Sequence, residues 1–291
     1  MQIDGSDKVA RDFRKRILVD ANSPILAFKA NRDRYRQKKY AGMAYFGSVN
    51  SEDALTWNVF RSLQKAHCLE VVKDWLEIDI GRPTAMLIWC LALELTDDDA
   101  KLQFQLGDLL RNTDGIIPGQ IGEPDVVIQG TDGIAIIECK LGERNKALTH
   151  LWEGGSVERI KRRLTRYEQE APEPLKSILK SIIESNKIET DIKPIYQLVR
   201  MAYYVISLGQ AYGLQPALVS VGNECNRHTE IRGMGKCANE LWDTFRDLLG
   251  SVQLHCTNTT WQALLPIMES KGVNCLYQYL TGHPCLKCPS E

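Results

Sequence analysis

The chain has 291 residues, 44% of them hydrophobic and 25% charged, with a formal net charge of -1. That composition excludes a largely disordered chain and supplies enough apolar residues for one large domain or two small ones. A near-neutral total also excludes a global positive field, so a polyanionic partner must be met by a local basic surface.

The opening MQIDGSDKVARDFRKR lacks an apolar core followed by small residues, and so reads as neither a secretory signal nor a membrane anchor. The longest strongly apolar run, AMLIWCLALEL from Ala85 to Leu95, is well short of the roughly 18 residues of a spanning helix. These features imply a soluble, cytoplasmic protein without a membrane partner. Most of the nine cysteines lie singly in apolar segments, the pattern of buried reduced thiols.

Between Asp7 and Tyr40 eleven Lys or Arg stand against four Asp. This segment, within a basic helical extension over residues 1–46, reads as a solvated helical face or as an arm that contacts phosphates. From Ser51, a natural N-cap, SEDALTWNVFRSLQKA places Leu55, Val59, Leu63 and Ala66 at helical spacing with Phe60 beside them. A second helix is predicted over Leu69–Trp75, and the Ala85–Leu95 run as a buried strand. Asp97 to Asp99 begin another helix, which stops near Asp114 and Gly115.

The segment EPDVVIQGTDGIAIIECKLGE, Glu123 to Glu143, holds two apolar runs around a polar turn. With Asp132 and Gly133 as a two-residue turn, Val127 faces Glu138 and Asp125 faces Lys140. A four-residue loop from Gly130 to Gly133 pairs Asp125 with Glu138 instead. In both registers Asp125, Glu138 and Lys140 leave one face at one end of the hairpin, because side chains alternate with period two; a three-residue loop destroys that convergence.

A polar stretch from Glu143 to about Lys187 contains an Arg-rich helix, in which VERIKRRLTRY offers Arg159, Lys161, Arg162, Arg163 and Arg166. These are either a solvated surface or a backbone-contacting one. A helix from Pro194 to Gly213, a strand at QPALVSVGN, a helix at ANELWDTFRDLLG, a strand at SVQLHCTNT and terminal helices at WQALLPIMESKG and CLYQYL follow. Such alternation predicts an α/β protein, a mixed central sheet flanked by helices, with residues 47–223 as core and 224–291 as a C-terminal α/β extension packed on it.

Two carboxylates converging beside apolar strands repel, and Lys140 neutralises only one of them. A hard divalent ion with oxygen ligands, Mg²⁺ above all, would resolve the remainder. Glu52 lies three residues before Leu55 and seven before Val59, on the buried side of its helix, as a partner of the helix dipole or as a further ligand.

The order of these parts resembles the PD-(D/E)XK nuclease superfamily: a helix with Glu52, PD at Pro124 and Asp125, ECK at Glu138, Cys139 and Lys140, then a helix containing Gln197 and another strand. The resemblance covers about Gly47 to Asn223 and implies a restriction-endonuclease-like core. It further implies a Mg²⁺-dependent deoxyribonuclease, with Mn²⁺ as a substitute, that hydrolyses DNA phosphodiester bonds. Asp125, Glu138, the backbone carbonyl of Cys139 and Glu52 would be metal ligands; Lys140 would orient or deprotonate the attacking water. The Cys139 side chain points to the opposite face, toward packing. Gln197 would face the site, although YQLVRMAYY departs from the Gln-x-x-x-Tyr pattern of one large branch. Tyr203 and Tyr204 read as core or helix-surface residues.

A restriction or defence role follows only by analogy, and a homodimer would account for double-strand cutting. Two rival readings remain: a non-catalytic nucleic-acid-binding or assembly module that keeps the fold, and a purely structural cluster of ion pairs. In the tail, Cys275, His283, Cys285 and Cys288 offer four zinc-type ligands, although the lone Cys-x-x-Cys pair is a weak signature.

Overall fold

The computed structural model describes residues 17–29, 52–94, 96–114, 123–141, 156–185, 187–228, 230–231, 236–283 and 286. Its centre is a six-stranded mixed sheet built from β1 (Pro83–Ile88), β2 (Leu91–Ala92), β3 (Val126–Gly130), β4 (Gly133–Cys139), β5 (Gln215–Gly222) and, last, β8 (His255–Thr260), with spatial order β2-β1-β3-β4-β5-β8. The β2, β1, β3 and β4 neighbours pair antiparallel, while β4, β5 and β8 run parallel. A two-stranded ribbon, β6 (Glu230–Ile231) and β7 (Lys236–Cys237), stands apart from it.

Both faces of the sheet are covered, which explains why its central strands read as near-continuous apolar runs. Ile134 and Ile136 of β4, with Val127 and Leu218, face one core. That core is closed by α3 (Asp97–Asp114), α4 (Val157–Glu170), α5 (Leu175–Glu184), α6 (Tyr196–Tyr212) and α7 (Ala238–Leu248). Ala135, Ile137 and Cys139 face the other core, under α1 (Glu52–Lys65), α2 (Val71–Leu76), α8 (Leu265–Ser270) and α9 (Asn274–Gly282). The α/β class with a mixed sheet flanked by helices is therefore present.

Helix α1 buries more than the apolar stripe that its sequence shows. Trp57, Asn58 and Arg61 are also buried, because residues 17–29 lie across it. Asn58 Oδ1 accepts from the Leu18 amide at 2.7 Å, Trp57 Nε1 donates to the Val19 carbonyl at 2.9 Å, and Arg61 pairs with Asp20 at 2.7 Å. Ile17 and Leu26 of this segment join the core beneath. The remainder of the basic stretch, and Ser51, lie outside the described residues.

The run Ala85–Leu95 is not one strand. It turns at Trp89 and Cys90, whose φ angles are 53° and 62°, and returns as β2. Two non-glycine residues in the left-handed region cost roughly 1–2 kcal/mol each. Trp89 stacks on Trp57 at 5.8 Å under Lys29 Nζ, 4.5 Å from its ring centroid, while Cys90 fills the opposite core. Long-range aromatic packing thus overrides the local preference.

Three further corrections are local. The polar stretch holds two helices, α4 and α5, rather than one; β8 begins only at His255; and the helix predicted from Pro194 starts as a tight turn, Lys193–Ile195, before α6. Gly213 stops α6 as expected, with φ of 67°. Among the described residues six cysteines are free thiols, as expected of most of them, whereas Cys225 is disulfide-bonded, against that expectation.

Candidate active site

The hairpin register decides which side chains meet. Gln129 pairs with Ile134 and Val126 with Ile137, so the connection is the four-residue loop and Asp125 falls opposite Glu138. The two-residue turn is overturned. Its amides bond outward: Thr131 N donates to the Arg82 carbonyl at 3.0 Å, and Asp132 N and Gly133 N to that of Ile80 at 3.1 and 3.3 Å. The preceding segment thus holds the loop open, and a Cβ at Gly130 would lie 1.9 Å from the Ile80 carbonyl oxygen, which requires glycine there.

Asp125, Glu138 and Lys140 do emerge at one end of the sheet, and α1 brings Glu52 to meet them. Lys140 Nζ lies 2.6 Å from Glu138 Oε1, 3.4 Å from Glu52 Oε1 and 3.9 Å from Asp125 Oδ2, and donates to the Cys139 carbonyl at 3.1 Å. Gln197, from the first turn of α6, donates through Nε2 to Glu138 Oε1. Every residue singled out for the site is thereby brought together. Cys139 contributes its backbone, while its side chain is buried in the core on the other face.

The backbone around these groups is fixed by further bonds. Asp125 Oδ2 accepts from the Cys139 amide at 2.8 Å and Glu52 Oε2 from the Leu141 amide at 3.0 Å. The Lys140 amide donates to the Val221 carbonyl at 2.7 Å, and Trp261 Nε1 donates to the Lys140 carbonyl at 3.2 Å. Glu138 is the deepest group, 1% exposed at its side chain, and its Oε2 is buried with no hydrogen-bond partner.

Electrostatics follow from that burial. Desolvation, reinforced by Asp125 and opposed by Lys140, pushes the Glu138 carboxyl up to about 7. Desolvation also raises Asp125 and Glu52, against the pull of Lys140 in each case. For Lys140 burial favours the neutral amine, yet Glu138, Glu52 and Asp125 together outweigh it and hold the ammonium well above its ordinary value. The Cys139 thiol is driven well up by desolvation, which suits packing and not nucleophilic chemistry.

A second acidic pair borders this cluster. Lys29, 6% exposed, lies 3.1 Å from Asp53 and 3.6 Å from Glu123. No sequence signal distinguishes Lys29 from the other cations of its basic run.

Among the described residues no three His, Cys, Asp or Glu are grouped as a ready metal cage; the three carboxylates point at Lys140 instead. Their chemistry still suits a hard cation. All are oxygen donors, three carboxylates face one ammonium, and Glu138 Oε2 is an orphaned buried oxygen.

Of the basic residues on α4, Arg159, Lys161, Arg162 and Arg166 are exposed. Arg163 turns inward, its Nε 3.4 Å from Asp114 Oδ1. Tyr203 and Tyr204 are core residues, and Tyr204 donates to Asp114.

In the tail, Cys275 and His283 sit at opposite ends of α9, about 12 Å apart along its axis at 1.5 Å per residue. One tetrahedral site holding both is excluded by that separation; Cys285 and Cys288 lie outside the described residues. Among the described residues no helix is long and apolar enough to cross a membrane.

No family model, curated protein or solved structure matches the chain. What the site can do therefore has to be read from its own geometry.

Proposed function

We propose that this protein is a divalent-metal-dependent nuclease that hydrolyses DNA phosphodiester bonds, with a restriction-endonuclease-like core. The observation that carries this reading is the meeting of Glu52, Asp125, Glu138, Lys140 and Gln197, from three separate chain segments, at one end of the sheet. A core that needed only an ion pair would be served by one acid and one base. Here three carboxylates share a single lysine, and desolvated surplus charge of this kind marks functional sites more often than structural ones.

Asp125, Glu138, the Cys139 carbonyl and Glu52 would hold Mg²⁺ or Mn²⁺, which when bound polarises a phosphoryl oxygen and acidifies a coordinated water. The chain's own groups prepare that step. Gln197 fixes the orientation of Glu138 through Oε1. The Cys139 and Leu141 amides fix Asp125 and Glu52. Lys140, held as an ammonium, offers a donor where charge develops on a phosphoryl oxygen.

One specific observation favours a second reading, a structural ion-pair cluster: Lys140 Nζ already lies among the three acids. Incubating linear, circular and single-stranded DNA with wild type and Lys140→Ala, with and without Mg²⁺, separates the two. A nuclease gives Mg²⁺-dependent cleavage lost in the variant with DNA binding intact. No cleavage under any divalent ion, together with no Mg²⁺ or Mn²⁺ stabilisation of the fold, leaves the structural cluster.

A further inference from the structure

A buried arginine without a direct ion pair stands beside the acidic site. Arg200, 6% exposed, lies on α6 three residues after Gln197, on the same side of that helix. It makes no hydrogen bond or ion pair among the described residues, and its Nε is sealed from solvent without a partner. Its guanidinium carbon lies 6.0 Å from the centroid of the Tyr196 ring, and Tyr204 and Tyr167 also act on it electrostatically.

Asp114 acts on Arg200 electrostatically but makes its direct contacts elsewhere. Asp114, at the end of α3 with a fully buried side chain, faces Arg163 through Oδ1 at 3.4 Å. The same oxygen accepts from the Tyr167 hydroxyl at 2.7 Å, and Oδ2 accepts from the Tyr204 hydroxyl. Tyr167 in turn shares a hydrogen bond with Tyr196 at 3.2 Å. Two guanidiniums thus surround a single acid whose oxygens are already used, and the deeper guanidinium is the unpaired one. Buried charges are normally paired, and a fork of unused N–H donors matches the oxygens of a phosphate.

We propose that Arg200, with Arg163 beside it, forms an anion subsite that takes a phosphate of the nucleic-acid strand next to the phosphodiester presented to Glu138. The inference rests on the nuclease reading for the identity of the strand, but not for the anion site itself. Gln197 and Arg200 are one helical turn apart, so α6 carries both the residue that orients the acidic cluster and the residue that reads the neighbouring phosphate. Arg200 is a binding residue in this scheme and takes no part in bond breaking.

The test uses metal-free full-length protein, so that no cleavage occurs. Inorganic phosphate, titrated at constant ionic strength against chloride, is expected to raise the thermal midpoint of wild type and of Arg246→Gln, an exposed residue on α7. It should not raise that of Arg200→Gln. Single-stranded oligonucleotides with and without a 5′ phosphate identify the source of the group. Binding about tenfold tighter with the 5′ phosphate, lost in Arg200→Gln, assigns a terminal monoester; equal binding that falls about tenfold for both assigns an internal diester.

Should Arg200→Gln fail to fold, Arg200→Lys keeps the charge but loses the fork, and several-fold weaker phosphate binding is expected of it. Absence of phosphate protection in wild type, or protection undiminished in a folded Arg200 variant, overturns the inference. Cleavage that survives Arg200→Gln with unchanged KM sinks this inference and leaves the nuclease reading intact. Phosphate protection in a protein that cuts no DNA does the reverse.

Discussion

The acidic end of β3 and β4 and the arginine–tyrosine cluster behind α6 solve the same problem with opposite signs. At the first, three carboxylates share the ammonium of Lys140. At the second, two arginines flank the single carboxylate of Asp114. Each region keeps more charge than its partners neutralise, and α6 touches both, through Gln197 and through Arg200. A structure selected for stability alone would trim such surpluses, since buried pairs rarely repay their desolvation. Complementary surpluses side by side suit a ligand that carries negative phosphates and is met through a cation.

The largest expected effect is at Lys140. Lys140→Ala should lower the rate of DNA cleavage by about 10²–10³-fold. In metal-free protein it should also reduce stability by roughly 3–5 kcal/mol, because three acids lose their only shared partner. Urea midpoints measured without and with Mn²⁺ would show the loss shrinking when the ion is present; an equal loss in both conditions breaks the comparison with a metal cradle.

On the other side, Asp114→Ala leaves Arg163 and Arg200 with no carboxylate and takes the acceptor from the Tyr204 hydroxyl and one partner from that of Tyr167. A loss of about 3 kcal/mol is expected in denaturant titration, and added phosphate should restore more of it than added chloride.

Proton linkage gives a third, smaller effect. The Glu138 carboxyl titrates near 7 in the fold and near 4.5 when free, so the fold favours its neutral form. Its stabilising contribution is complete below pH 4.5 and is lost as pH rises through about 7. Asp125 and Glu52 are shifted in the same direction and reinforce the sign. Metal-free stability should therefore decline between pH 5 and 7.5, about the window set by those shifts. Glu138→Gln should flatten the decline, and Mg²⁺ should oppose it; a pH-independent wild type in this range would show that Glu138 is already ionised and paired.

The smallest effect is expected at Gln197, whose amide orients one oxygen of Glu138. Gln197→Ala should reduce kcat/KM by about tenfold while lowering stability by only ~1 kcal/mol. An unchanged kcat/KM in the folded variant would instead make Gln197 a packing residue.

Much of the acidic site was legible because its logic is local. Period-two alternation holds Asp125, Glu138 and Lys140 on one face in either even register of the hairpin, and helical spacing turns Glu52 toward the same core. The choice between registers was not local. It is made by Ile80 and Arg82, whose carbonyls take the amides of the loop, and no pattern within the hairpin encodes them. The arginine cluster is invisible in the sequence for a related reason. Asp114, Arg163 and Arg200 come from three helices, and each looks like an ordinary charged residue until those helices pack.

The sequence by itself determined the α/β class, the helical and strand periodicities and the one-sided convergence of the hairpin acids, since these follow from the repeat of the backbone. Only the tertiary structure decided the tight turn at Trp89 and Cys90, the seating of residues 17–29 on α1, the loop register and the burial of Arg200 without a direct ion pair. Those depend on which distant surface satisfies a donor, an acceptor or a ring, and a one-dimensional pattern does not carry that information.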